Sequence, residues 1–470
     1  MNLFLQSDSR PIHFVGIGGA GMSALALVAL RRGIRVTGSD TDISGTSDLV
    51  SHGATVFAEA AGSTVGEARA VVVSAAVAPQ HPDLVEARQR GLPIVPRKEA
   101  LAGLIGDATC VAIAGTHGKT TTTVMTTEAL TGAGFAPTGL AGGRVAEWGG
   151  NAKLASDRLF VVEADEFDQA FLSLRPTVAV INNVEADHLE CYGSLAAMEA
   201  AYVRFASTSE RVIVGDEGAG ADRVAEALAP NPVWRFGPNG PDIRLSGIRL
   251  EPLSSRSRVT FPDGAAVDLV LALPGLHNLR NGAAALAVTT ALGGDLAGAA
   301  RALAAFHGVG RRFERVGERG EVMVIDDYAH HPTELSATLR AARQAFPSRR
   351  LVAVFQPHLF SRTALHGAAM GEALTGADLS IVTDVYRARE EPVAGVTGAL
   401  VAEAARRGGA AVIYHPDRAS LGRVVAGQLK PGDVLLTMGA GDITHLGREV
   451  LGLMAGERGS GGGDGGGSVP

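Results

Sequence analysis

At 470 residues the chain has room for about three domains, and its net charge of −7, with no block of basic residues, excludes a nucleic-acid surface. Hydrophobic residues make up 46% and aromatics only 5%, so the cores must be built from Ala, Val and Leu. The opening MNLFLQSDSRP has no basic stretch followed by an apolar run, and no apolar segment reaches membrane-spanning length; Cys110 and Cys191 form neither a disulfide framework nor a metal spacing. A soluble protein of a reducing cytoplasm, with no membrane partner, is expected.

In chain order, IHFV runs into the turn Gly16-Ile-Gly-Gly-Ala-Gly21 and then an apolar helical stretch. Glycines Gly16, Gly18, Gly19 and Gly21 let the backbone close on a pyrophosphate at a helix N-terminus, and Asp40 ends the next strand candidate, 34–40. A dinucleotide such as NAD fits this turn; so does a nucleotide-diphosphate sugar. Strand candidates at 54–58, 70–77 and 93–97 alternate with helical stretches such as 84–90, which implies a parallel α/β sheet within a first domain, 1–105.

The second domain, 106–309, opens on an apolar strand followed by Gly115-Thr116-His117-Gly118-Lys119-Thr120-Thr121. Strand, Gly-rich loop and helix in that order suit a triphosphate: backbone N–H groups surround phosphate oxygens, the lysine supplies a point charge, and the hydroxyl can hold Mg²⁺. Only four of the 42 basic residues are lysines, so a compact ammonium kept at position 119 is informative. Ile113 stands where the strict phosphate-loop spacing has its first glycine. Acidic residues Glu163, Asp165, Glu166 and Asp168 lie at and beyond the strand candidate 159–165, and Asp187-His188 end the next apolar run, 177–188. Glu163 and His188 are therefore candidates to hold a metal beside the loop. After residue 230, VWRFG, DIRLSGIRL, SRVTF and VDLVLALP read as antiparallel strands, and 277–292 as a helix.

The third domain, 310–455, begins with VMVIDDYAHHPTE and adds strand candidates in RLVAVFQPH, DLSIVTDVY, AAVIYHP and DVLLTMGAGD. The Gly-rich tail, 456–470, cannot bury a core and is expected to be disordered.

GIGGAGMSALA, AGTHGKTTTT, VEADE, NNVEADHLE, LHNLRNGAAA, GRRF, IDDYAHHPTE, QPHLFSRT and TMGAGD, in this order from residue 16 to 442, resemble the Mur ligase family and within it the alanine-adding branch. GTHGKTTTT with DDYAHHPTE is the most specific pair. The resemblance implies a three-domain α/β protein: a Rossmann-like UDP-binding domain, a P-loop ATPase-like domain with added antiparallel strands, and a C-terminal Rossmann-like domain. It implies ATP-dependent joining of L-alanine to UDP-N-acetylmuramate through an acyl phosphate, with ATP and Mg²⁺, by a monomer or weak homodimer. Lys119 would contact the ATP phosphates within the loop Gly115–Thr121, Thr120 would ligate Mg²⁺ with Glu163 and His188, and Asn278 and Asn281 would reach the adenine. Arg312 and Asp327 would contact the nucleotide from the third domain. His330, His331, His358 and Arg362 would face the muramyl carboxylate and the amino acid; His188 would also border the substrate. Gly16, Gly18, Gly19, Gly21, Asp40 and Ser74 would hold the UDP portion.

Either His330 or His331 could take the ammonium proton. Two departures from relatives stand out: residues 189–203 contain no lysine of the kind some members carbamylate, and Leu359 follows His358 where some alanine-adding relatives carry Arg. The residues assigned to one reaction are scattered along the chain, so the third domain is expected to close on substrates about a hinge at 306–310. A peptide-recycling ligase, an NAD-dependent oxidoreductase and a non-catalytic P-loop regulator are the competing readings.

Overall fold

The structure, a computed structural model, describes residues 3–4, 8–388 and 390–456. The chain divides into two compact units, one formed by residues up to 249 with 255–309, the other by 250–254 with residues from 310 onward. The expectation for the 456–470 tail lies, after its first residue, outside the described residues. No described helix is long and apolar enough to cross a membrane.

The first unit contains two sheets. One has five parallel strands in the order Thr55–Phe57, Val36–Ser39, Ile12–Val15, Ala70–Val73, Ile94–Pro96. Its central strands are near-continuous apolar runs because helices cover both faces of a parallel sheet; Ile12, Phe14, Val71 and Val72 are fully buried. The other sheet has ten strands, and Thr109–Ala114 lies at its middle between Val178–Asn183 and Leu159–Glu163, parallel to both.

Two findings differ from the sequence reading. Val233–Gly237 is not antiparallel: it pairs in parallel with Arg211–Glu217, Val212 opposite Val233. The intervening helix Ala219–Ala227 is a crossover that returns the chain to the same end of the sheet before the next strand begins. Ile243–Glu251 also starts parallel to it, and antiparallel register holds between Ser254–Thr260 and Ala266–Leu271. In addition, Thr138–Val145 and Gly150–Lys153 form the opposite edge, where Gly-rich sequence gave no apolar pattern to read.

The second unit is built on six strands in the order Glu314–Arg319, Val322–Asp327, Val434–Met438, Leu351–Phe355, Leu379–Val382, Val412–Tyr414. All neighbours are parallel except the first pair. Glu314–Arg319 is a charged edge strand with no apolar signature.

Candidate active site

Strand Thr109–Ala114 delivers the chain into the loop, and helix Lys119–Gly132 leaves it. The loop needs glycine at two points. Gly115 (φ 131°) and Gly118 (φ 80°) occupy backbone conformations that side chains disfavour, and a Cβ on Gly118 would lie 2.8 Å from Asn281 Oδ1. Neighbouring asparagines brace the loop from the adjacent strand. His117 N–H donates to Asn183 Oδ1 (2.8 Å), and Asn182 Nδ2 donates to the His117 carbonyl (3.2 Å) and to Thr122 Oγ1 (3.0 Å). Thr122 in turn donates to Asn281 Oδ1 (3.1 Å), tying helix Lys119–Gly132 to helix Leu276–Ala291. Thr116 Oγ1 both accepts from Glu185 N–H (2.9 Å) and donates to the Glu185 carbonyl (3.2 Å). Asn182, Asn183 and Thr122 escaped the sequence reading; the paired asparagines that end an apolar strand were the available signal.

Lys119 Nζ donates to the carbonyls of Gly115 (2.7 Å) and Thr116 (3.3 Å) and to Glu166 Oε1 (2.8 Å). Burial works against its charge, but Glu166, Asp165 and Glu163 outweigh it and hold the ammonium above its ordinary value. Burial pushes the Glu166 carboxyl up, against the pull of Lys119. Glu163, at the end of its strand, accepts from Gly142 N–H. Thr120 is buried in the first helical turn. His188 sits at φ 51° before a short helix; its Nδ1 is 3.2 Å from Glu190 Oε1 and its ring meets Phe167 edge-on at 5.1 Å. Glu163 acts electrostatically on Lys119, and His188 on Glu166. Asn278 and Asn281 are buried on one helix; Asn278 Nδ2 donates to the Pro274 carbonyl (2.7 Å).

In the N-terminal sheet the turn after Ile12–Val15 is closed by Asp40. Gly18 N–H donates to Asp40 Oδ2 (2.8 Å) and Asp42 N–H to Oδ1 (3.1 Å), so both carboxylate oxygens serve the turn itself. A Cβ on Gly18 would meet the Asp42 carbonyl at 2.5 Å, and one on Gly21 would meet Arg97 Nη1 at 2.6 Å. Gly19 caps helix Ala20–Arg31, and Ser74 packs beside Gly16. Arg97 also donates to Asp165 (3.1 Å) and Lys98 to Asp168 (2.8 Å), linking this sheet to the acidic segment after strand Leu159–Glu163.

In the second unit, Asp327 ends strand Val322–Asp327 and accepts from Phe313 N–H (2.7 Å) and Ala329 N–H (2.8 Å). Burial pushes its carboxyl up to about 6, against the pull of Arg312 and of those N–H groups. Arg311 and Arg312 flank the Tyr328 ring at 4.8 and 4.9 Å. His331 caps helix Pro332–Ala345 in a reciprocal capping box with Glu334. The His330 ring lies 6.1 Å from that of His358, which stacks on Tyr386 at 5.8 Å. Arg362 is buried with Nη1 3.3 Å from His358 Nδ1. Leu359 is 1% exposed at φ 70°, a core side chain that leaves Arg362 as the guanidinium of this helix start. Tyr328 and Tyr386 are members of the cluster that the sequence reading did not single out.

Three family profiles match in succession: "Mur ligase family, catalytic domain" at 11–109, "Mur ligase middle domain" at 113–289 and "Mur ligase, glutamate ligase domain" at 311–441. The chain is 45% identical over 453 residues to the UDP-N-acetylmuramate–L-alanine ligase of Thermobifida fusca, covering 94% of this chain and 96% of that one. It is 45% identical over 451 residues to the Nocardioides ligase of the same name, covering 95% and 96%. Among solved structures, the UDP-N-acetylmuramate–alanine ligase of Thermotoga maritima superposes with a TM-score of 0.82 at 29% identity, over 95% of this chain and 99% of that one. A murein peptide ligase from Psychrobacter arcticus follows at 0.73 and 26%, over 95% and 98%.

Proposed function

The chain belongs to the Mur ligase family, and from that premise we propose that it is the ATP-dependent ligase joining L-alanine to the lactyl carboxylate of UDP-N-acetylmuramate in peptidoglycan precursor synthesis. The observation that carries this reading is identity of 40–45% to ligases of that activity along nearly the whole chain, with Lys119 standing in a braced phosphate loop. An oxidoreductase would leave that loop without a task.

A carboxylate resists attack by an amine until one oxygen becomes a leaving group. Transfer of the γ-phosphoryl of ATP to that oxygen gives an acyl phosphate and ADP; the neutral amine of L-alanine then attacks the carbonyl carbon and phosphate departs. The protein's contribution is position and charge, with Lys119 and Arg312 assigned to the transferring phosphoryl. Thr120 hydroxyl, Glu163 carboxylate and His188 imidazole would hold Mg²⁺, which when bound would neutralise phosphate charge. Gly16, Gly18, Gly19, Gly21 and Ser74 are assigned to the UDP portion, and His358 and Arg362 to substrate carboxylates.

Between the paired histidines, we base the assignment on the hydrogen-bond partners of Nδ1. His330 Nδ1 lies 2.9 Å from the Tyr328 carbonyl, which can only accept, so the neutral ring carries its proton there and keeps Nε2 as a base. His331 Nδ1 accepts from Thr333 N–H, which places the ring proton on Nε2. His330 is therefore assigned the removal of the ammonium proton. The test is one assay: protein, ATP, Mg²⁺ and UDP-N-acetylmuramate with L-alanine, glycine, L-serine or a cell-wall peptide, reading phosphate release and product mass. Product with L-alanine is expected. Product with the peptide alone would move the reading to a peptide-adding ligase, as the Psychrobacter relative is named a murein peptide ligase.

A further inference from the structure

We propose that Glu166 is a positioning residue that occupies Lys119 in the nucleotide-free protein and yields it to the incoming triphosphate. The inference rests on reading 115–121 as the phosphate loop. An ammonium has three N–H donors, and all three are in use: Gly115 O at 2.7 Å, Thr116 O at 3.3 Å and Glu166 Oε1 at 2.8 Å. No donor is left for a phosphate. Two of the acceptors are neutral carbonyls of the loop itself; the third is a carboxylate whose side chain is 2% exposed. Anion must therefore replace anion.

Glu166 is poorly placed to follow the lysine. Its backbone carbonyl accepts from Tyr192 Oη (2.5 Å) and from Gln169 N–H (3.0 Å), which anchor the residue at the start of its 3₁₀ segment. Its second oxygen, Oε2, is buried and has no hydrogen-bond partner among the described residues. Lys119 is thus its one ion-pair partner among the described residues, and Asp165 beside it adds repulsion. A carboxylate held by a single charge-assisted bond, next to a loop built for phosphates, mimics the ligand and opposes it.

Removing that charge weakens the hold on one lysine donor and removes a nearby negative charge, so the nucleotide binds tighter. It also weakens the contact that aims Nζ, so turnover slows. Glu166→Gln, nearly isosteric, should therefore tighten binding of the Mg²⁺ complex of AMP-PNP on the order of tenfold in a calorimetric titration. In the steady state KM for ATP and kcat should fall together. Glu166→Ala should move affinity in the same direction and replaces Gln if circular dichroism shows the first variant misfolded. Combined with Lys119→Ala, the gain should largely vanish. Affinity equal to or weaker than wild type in both Glu166 variants overturns the proposal. The loop reading fails separately, if Lys119→Ala alone binds AMP-PNP as tightly as wild type.

Discussion

Asp327 is buried among backbone donors, and burial raises its carboxyl from 3.8 to about 6. A carboxyl raised on folding binds its proton more tightly in the native state. Its contribution to stability is therefore complete below the unfolded value near 3.8 and is lost as pH rises through about 6. The shift corresponds to a component on the order of 3 kcal/mol. Denaturant unfolding of wild type and Asp327→Asn between pH 4 and 8 should show this loss in wild type alone; parallel curves would place the titration elsewhere. Glu163 and His188 make a second pair of residue-scale expectations. Glu163→Gln and His188→Ala should each raise the Mg²⁺ concentration needed for half-maximal turnover, with partial recovery at high Mg²⁺. Unchanged metal dependence would make both residues structural. Glu163 and Asp327 were legible because each ends an apolar strand, and Lys119 because it follows a glycine loop and opens a helix. Glu166 as lysine partner was not, since EADEFD offers four carboxylates and only the fold says which one turns inward.

At the scale of elements, the phosphate loop is a strand, two left-handed glycines and a helix, braced by a second strand and a second helix. Gly118→Ala would force a Cβ at φ 80° to within 2.8 Å of Asn281 Oδ1, disturbing the Asn182–Thr122–Asn281 chain as well as the loop. A loss of about 1–3 kcal/mol in stability and of most AMP-PNP affinity is expected, read by thermal unfolding and calorimetry. Wild-type affinity would mean that the loop tolerates another backbone path. Elements with strong local signals were readable: the glycine turns, the apolar central strands and helix Leu276–Ala291. Those whose identity depends on neighbours were not. Thr138–Val145 is a strand because Leu159–Glu163 offers it an edge, and Val233–Gly237 is parallel because a helix precedes it. Alternation alone carries no strand direction.

For the molecule as a whole, the residues assigned to one reaction are divided between two units, and the chain makes its last passage from one to the other at 309/310. Gly308, at φ 112°, lies in the crossing segment. Small-angle scattering should show compaction when an ATP analogue and UDP-N-acetylmuramate are added together, and an unchanged radius would remove the expected closure. The helix after Lys119 carries a last consequence, for biogenesis. Six of its threonines, Thr120 to Thr123 with Thr126 and Thr127, are buried. Relative to alanine such β-branched residues disfavour a helix by roughly 3–4 kcal/mol in sum. Packing, not propensity, keeps it wound, and part of that packing comes from helices Leu276–Ala291 and Leu296–Ala304. Asn281 joins Thr122 across 159 residues of chain. A nascent polypeptide emerging from the ribosome thus carries an unfinished nucleotide site until the whole central region has been made, and an arrest near residue 200 should leave that helix unwound and open to proteases.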